Sequence, residues 1–326
     1  MTHGAFSAPP FDPELAAVLA VIGDDAPPTM TPDMILPTRE AMAAMPSLSD
    51  EDLARGGAYT VEERRVPGPD GAPDVTLLIC RPTAVPAAVG AIYHTHGAGM
   101  VMGDRRTGLD RVLDMAAPSR LAVVSVEYRL APEHPDPAPV EDCYAGLVWT
   151  ARHAAELGID PDRIVVHGRS AGGGLAAGVA LLARDRGGPA LFGQVLDSPM
   201  LDDRDDTVSS MQIDGIGVWD RTSNRTGWDA LLGDRRGGGD VSSYAAPARA
   251  SDLAGLPPTY IAVGSAEVFR DECVAYASRI WQGGGVAELH VWPGGFHGFD
   301  VIAPEAALSR SATRAREAWL QRLTGA

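Results

Sequence analysis

Apolar positions recur at two different spacings along the chain, and the switch between them divides it. Near the start, Leu15, Val18, Leu19 and Ile22 fall at helical spacing, and Pro27 and Pro28 are expected to end that helix. A second short helical stretch carries Met42 and Met45, which with Met30 and Met34 predict an adaptable, methionine-rich apolar surface. From about Tyr59 the pattern changes. Residues 75–80, 89–93 and 122–126 read as strands, followed by a helix over 141–157, a strand over 164–167 and a helix over 171–184. Strands at 194–196, 259–263 and 289–292, with helices at 271–281 and 305–323, continue the alternation. Alternating strands and helices predict a mostly parallel sheet covered on both faces. Between about residues 201 and 250 the alternation lapses into a charged, glycine-rich stretch that reads as an insertion.

Composition narrows the classes of function. All 27 basic residues are arginine and stand against 43 acids, for a formal net charge of −16. Such a surface repels phosphate backbones and anionic headgroups, so neither nucleic acid nor a membrane surface is an expected partner. The first apolar stretch, residues 15–22, is too short to cross a bilayer and lacks a basic flank, so neither membrane insertion nor a secretion signal is expected. Three widely separated cysteines, Cys80, Cys143 and Cys273, form no disulfide framework and point to a reducing, cytoplasmic setting.

The chemistry concentrates in three places. Gly168-Arg169-Ser170-Ala171-Gly172 follows an apolar strand and precedes a helix. A serine on a sharp strand-to-helix turn needs small neighbours and sits where a helix N-terminus stabilises developing negative charge. Ser170 is therefore the candidate nucleophile. Upstream, His96-Gly97-Ala98-Gly99 follows a strand and can aim backbone N–H groups at an oxyanion. Ala98 and Gly99, together with Ala171, are the expected donors. His94 and His96 would share a strand face and could be read as metal ligands, but no further ligand spacing supports them, and no metal is expected.

A serine nucleophile followed by acid and then histidine requires its base late in the chain. His290 lies inside a strand, whereas His297 sits in the flexible loop Gly294-Gly295-Phe296-His297-Gly298-Phe299 and is the candidate general base. The acid should emerge at a strand's C-terminal end, where Glu267 lies in the loop after strand 259–263. Asp271, expected to cap the next helix, is the alternative.

In combination these residues resemble the bacterial hormone-sensitive-lipase-like esterases of the α/β-hydrolase superfamily. The likeness runs through His96-Gly97-Ala98-Gly99, the segment Tyr128-Arg129-Leu130-Ala131-Pro132-Glu133-His134-Pro135, Ser170-Ala171-Gly172-Gly173, Leu256-Pro257-Pro258 and His297-Gly298-Phe299. It implies that the acid lies 30 residues before the histidine, the position of Glu267. Three departures stand out: Ala98 for a glycine, Arg169 for an acid or threonine, and Glu267 for an aspartate. Glu133 and His134 are expected to hold loops together. The resemblance further implies an α/β-hydrolase fold with a helical cap. Residues 1–55 would supply cap helices, and 56–326 the catalytic domain with a cap insertion at about 201–250. The expected chemistry is acyl transfer from short-to-medium acyl esters to water without a cofactor, on a small-molecule substrate, by a chain able to form a homodimer. An amidase, lactonase or deacetylase would use the same groups, and a ligand-binding protein on the same scaffold would lack the working histidine.

Overall fold

The computed structural model describes residues 6–23, 29–85 and 87–326. The expected break at Pro27 and Pro28 lies outside these. The N-terminal segment holds α1 (Pro13–Ile22), α2 (Ile35–Ala44) and α3 (Asp50–Ala54). The strands β1 (Tyr59–Val66), β2 (Val75–Pro82) and β3 (Val89–Thr95) lead to α4 (Leu109–Ala116), β4 (Ala122–Glu127), α5 (Ala138–Arg152) and α6 (Ala154–Leu157). The chain continues through β5 (Ile159–Arg169), α7 (Ala171–Asp185), β6 (Gly193–Asp197), α8 (Val208–Gln212) and α9 (Arg221–Leu232). It closes with β7 (Thr259–Gly264), α10 (Arg270–Gln282), β8 (Ala287–Trp292), α11 (Phe299–Ile302) and α12 (Ala307–Thr324).

Among the described residues these strands form one sheet of eight, in the order β1-β2-β4-β3-β5-β6-β7-β8. Strand β2 runs antiparallel to β1 and β4, and the remaining pairings are parallel, as the alternation predicted. Its central strands are apolar on both faces because helices cover both. On one face, Tyr93, Val124, Val166, Leu196 and Ile261 pack with α5, α7 and α10. On the other, Ile92, Val123, Val165, Val195 and Tyr260 pack with α4 and α12.

Several elements depart from the sequence reading. Strand β1 carries Glu62, Glu63, Arg64 and Arg65 on an edge, where charge discourages pairing with another chain and hides the apolar alternation. Helix α4 was not expected, although Leu109, Val112, Leu113 and Ala116 are spaced for one buried face. The single helix expected over 141–157 begins earlier, at Ala138, and breaks at His153, which separates α5 from α6. Within 201–250 lie α8 and α9. Helix α9 is tied to the N-terminal segment, since the Met30 amide donates to Ser223 Oγ (2.8 Å) and Thr226 Oγ1 donates to the Met30 carbonyl (2.8 Å).

Candidate active site

Every candidate group emerges at the carboxyl end of a parallel strand, where an open α/β sheet leaves its crevice. Ser170 follows β5 with φ 57° and ψ −126°, a conformation rarely held by a residue with a side chain. Its amide donates to the Asp197 carbonyl (2.9 Å), and its own carbonyl accepts from Gly174 and Met200. The flanking glycines are obligatory for steric reasons. A Cβ on Gly168 would lie 2.1 Å from the Gly172 carbonyl oxygen, and one on Gly172 2.1 Å from that of Thr95.

The loops after β7 and β8 meet at Ser170. His297 Nε2 lies 3.0 Å from Ser170 Oγ, and His297 Nδ1 lies 3.0 Å from Glu267 Oε2. A carboxylate only accepts, so Nδ1 carries the proton and Nε2 turns its lone pair toward the serine hydroxyl. Glu267 is fully buried, and the Phe269 ring makes a T-shaped contact with the imidazole, centroids 5.2 Å apart. Asp271 goes elsewhere. It is not the N-cap of α10, a position held by Phe269, but sits in the first turn. There its Oδ2 accepts from the Ser209 amide (2.7 Å) and its Oδ1 from Arg270 (2.7 Å), tying α10 to α8. His290 pairs with Glu288 and stacks on Trp292.

The loop after β3 turns through positive φ at Ala98 (83°), Gly99 (68°) and Met100 (62°). Among the described residues, the amides of Ala98 and Gly99 donate to no backbone oxygen, and that of Ala171 is the free first amide of α7. Gly97 lies so close to the turn bearing the serine that a Cβ there would stand 2.8 Å from the Arg169 carbonyl oxygen. Tyr128 buttresses this loop, donating to the His96 carbonyl (2.8 Å) and stacking on its ring. Glu133 does join segments, but its partner is Arg39 of α2 (2.7 Å), which also donates to the carbonyls of Val101 and Ala131.

Ser170 and His297 open into a cavity of about 590 Å³. Met30, Met102, Val218 and Trp219 form apolar walls, and Ala98 borders the serine. Of the four N-terminal methionines expected to form one surface, only Met30 reaches this cavity. Met42 and Met45 line a separate groove.

The cavity floor was not anticipated. His94, His167 and Asp197 lie near the carboxyl ends of β3, β5 and β6 on one face, with His94 Nδ1 2.9 Å from His167 Nδ1 and His167 Nε2 3.3 Å from Asp197. Each is a polar residue directly after an apolar run, a signal that could have been read. His96 does not share partners with His94, because its Nδ1 donates to the Gly97 carbonyl instead. Among the described residues, no group of three or more His, Cys, Asp or Glu is disposed to hold a metal ion. Buried Asp197, Asp300 and Arg316 and half-buried Arg169 make an ionic cluster beside the histidines. Burial alone would raise both carboxyls, but the two guanidiniums outweigh it and hold them below the usual range.

Burial lowers the pKa of His94, His96 and His167. Their unfolded counterparts take up protons below about pH 6.5. From there down to the folded values the unfolded chain binds more protons, so stability falls as pH falls. Buried Glu272, raised well above its ordinary value, contributes the opposite slope, one group against three. The melting temperature is therefore expected to drop between about pH 7.5 and pH 5.5. A flat or rising melting temperature over that interval, followed by circular dichroism, would contradict the neutral buried imidazoles.

Comparison with known proteins identifies the family. A family model described as alpha/beta hydrolase fold matches residues 92–301. Carboxylesterase NlhH of Mycobacterium tuberculosis is 33% identical over 329 residues, covering 94% of this chain and 95% of the relative. Esterase LipI of the same species is 34% identical over 265 residues, covering 76% of this chain and 78% of that one. Among solved structures, a bacterial heroin esterase superposes with a TM-score of 0.86 at 38% identity, covering 96% of this chain and 98% of that one. Esterase LipW from Mycobacterium marinum superposes at 0.85 with 33% identity, covering 98% and 99%.

Proposed function

The chain belongs to the alpha/beta hydrolase fold family, and from that premise we propose that it is a serine carboxylic-ester hydrolase working through an acyl-enzyme. The observation that carries this reading is the hydrogen-bonded series Glu267–His297–Ser170 opening into a cavity bordered by unengaged loop amides. His297 Nε2 takes the proton from Ser170 Oγ as that oxygen attacks the ester carbonyl. The amides of Ala98, Gly99 and Ala171 hold the resulting oxyanion, where loss of one donor costs ~100- to 1,000-fold in rate. Glu267 keeps the Nδ1–H tautomer and offsets the charge on the imidazolium. The alcohol departs with the proton from His297. Water then repeats the path and frees the acid, so the route calls for no cofactor.

The cavity favours small-molecule esters with short-to-medium acyl chains. Residues 1–55 and the insertion at about 201–250 act together as a cap over domain 56–326, a reading supported by the Met30 contacts with α9 and by Trp219 on the cavity wall. Among the described residues, no helix is long and apolar enough to cross a membrane. Residence in the cytoplasm fits three buried free thiols, and the edge of β8, unpaired among the described residues, offers a face for a homodimer.

A panel of p-nitrophenyl esters from acetate to decanoate, run beside matched p-nitroanilides, tests the substrate class. Ester turnover that peaks among the shorter chains is expected. Turnover of anilides alone would reassign the protein to amide hydrolysis.

A further inference from the structure

The loop that carries His297 is held at both ends. On its N-terminal side the Gly294 amide donates to Ser265 Oγ (2.8 Å), and the Gly295 carbonyl accepts from the Ala266 amide (3.0 Å). Both partners belong to the loop bearing Glu267, so this anchor sets histidine against acid. The other anchor is Asp300, three residues past His297 in the single turn of α11. Its two carboxylate oxygens accept from Arg169 Nη1 (2.7 Å) and Nη2 (2.6 Å). Arg169 is the residue immediately before Ser170.

A closed ring results. Ser170 is bonded to Arg169, Arg169 grips Asp300, Asp300 is joined through one turn to His297, and His297 Nε2 returns to Ser170 Oγ. We propose that the Arg169–Asp300 pair is a positioning strut that sets the distance between the nucleophile and its base. The inference rests on the hydrolase reading above and names what holds its geometry.

Three features make the pair suited to the task. Its fork-on-fork geometry fixes orientation as well as separation, which a single point contact would not. Asp300 is only 6% exposed, which shields the acceptor end of the pair, while Arg169 is half-buried at the cavity. A second path runs in parallel: Arg316 Nη1 contacts both Asp300 (3.2 Å) and Asp197 (2.9 Å), and the Asp197 carbonyl accepts the Ser170 amide. The four side chains carry two positive and two negative charges, so the cluster adds no net charge beside the imidazole. Its effect is exerted through position.

The test compares Asp300→Asn, Arg169→Met, the double variant and Arg169→Lys with the parent enzyme on p-nitrophenyl acetate. Active sites are counted by stoichiometric phosphonylation, so that misfolded protein does not enter the rate. Per titrated site, Asp300→Asn is expected to lower kcat by about 10- to 100-fold, the scale of a reacting group displaced by about 1 Å, with KM nearly unchanged. Asp300 does not line the cavity, which keeps that substitution away from substrate. Arg169→Lys should recover part of the loss. The double variant discriminates: it leaves no unpaired charge, so a role limited to charge balance would restore the parent rate. A strut stays broken, and the double variant should be as slow as either single one. Parent-like kcat per site in Asp300→Asn, or recovery in the double variant, overturns the proposal. An inactive parent enzyme would instead overturn the hydrolase reading.

Discussion

Ser170→Ala is expected to lower kcat by about 10⁴-fold or more toward any ester the parent enzyme turns over. The substitution removes one oxygen and little else. The backbone bonds that hold the turn, from the Ser170 amide to Asp197 and from Gly174 and Met200 to the Ser170 carbonyl, involve no side-chain atom of residue 170. Alanine inherits the same φ of 57° at the same steric cost as serine, so strain is unchanged. The variant should show a parent-like circular dichroism spectrum and melting temperature. Ester binding should survive, because the cavity walls and loop amides are intact, and the residual rate would reflect them alone. A variant that keeps kcat within about tenfold of the parent would mean that another group, or a bound water, attacks the carbonyl.

The second large effect concerns the carboxylate. Glu267→Gln is expected to cost about 10⁴-fold in kcat, while Asp271→Asn should stay within about tenfold of the parent. The amide that replaces the carboxylate can turn its NH₂ toward His297 Nδ1, which then accepts instead of donating. The proton moves to Nε2, and the imidazole can no longer take the serine proton. Asp271 is bound by the Ser209 amide and Arg270, so its replacement should loosen the α8–α10 contact by about 1 kcal/mol without reaching the imidazole. Steady-state kinetics and thermal melts on the two variants decide between them. A larger kinetic loss from Asp271→Asn would transfer the orienting role to that residue.

Legibility in the sequence followed how local each feature is. The strand-turn-helix around Ser170 could be read because its glycines and its strand are neighbours in the chain, and because the turn admits few residue types. Central strands such as β4 and β7 were readable because burial on both faces leaves a continuous apolar run. Strand β1 was obscured because an edge strand is polar by necessity, and α4 because its apolar positions interrupt a loop rich in arginine and aspartate. The order of Glu267 and His297 along the chain narrowed the candidates to a few. Order alone does not say which side chain reaches across a loop, and Asp271 stayed open for that reason.

By itself, then, the amino-acid order determined the layered α/β architecture, the strained turn at Ser170 and the stretch in which base and acid had to lie. These depend on periodicity and on near-neighbour sterics, both written along the chain. Only the folded molecule decided that Glu267 rather than Asp271 faces His297, that His94, His167 and Asp197 share a cavity floor, and that Arg169 closes on Asp300. Each of those contacts joins residues brought together by strand order and helix packing. Their separations are set by the whole core at once, and no local pattern encodes them.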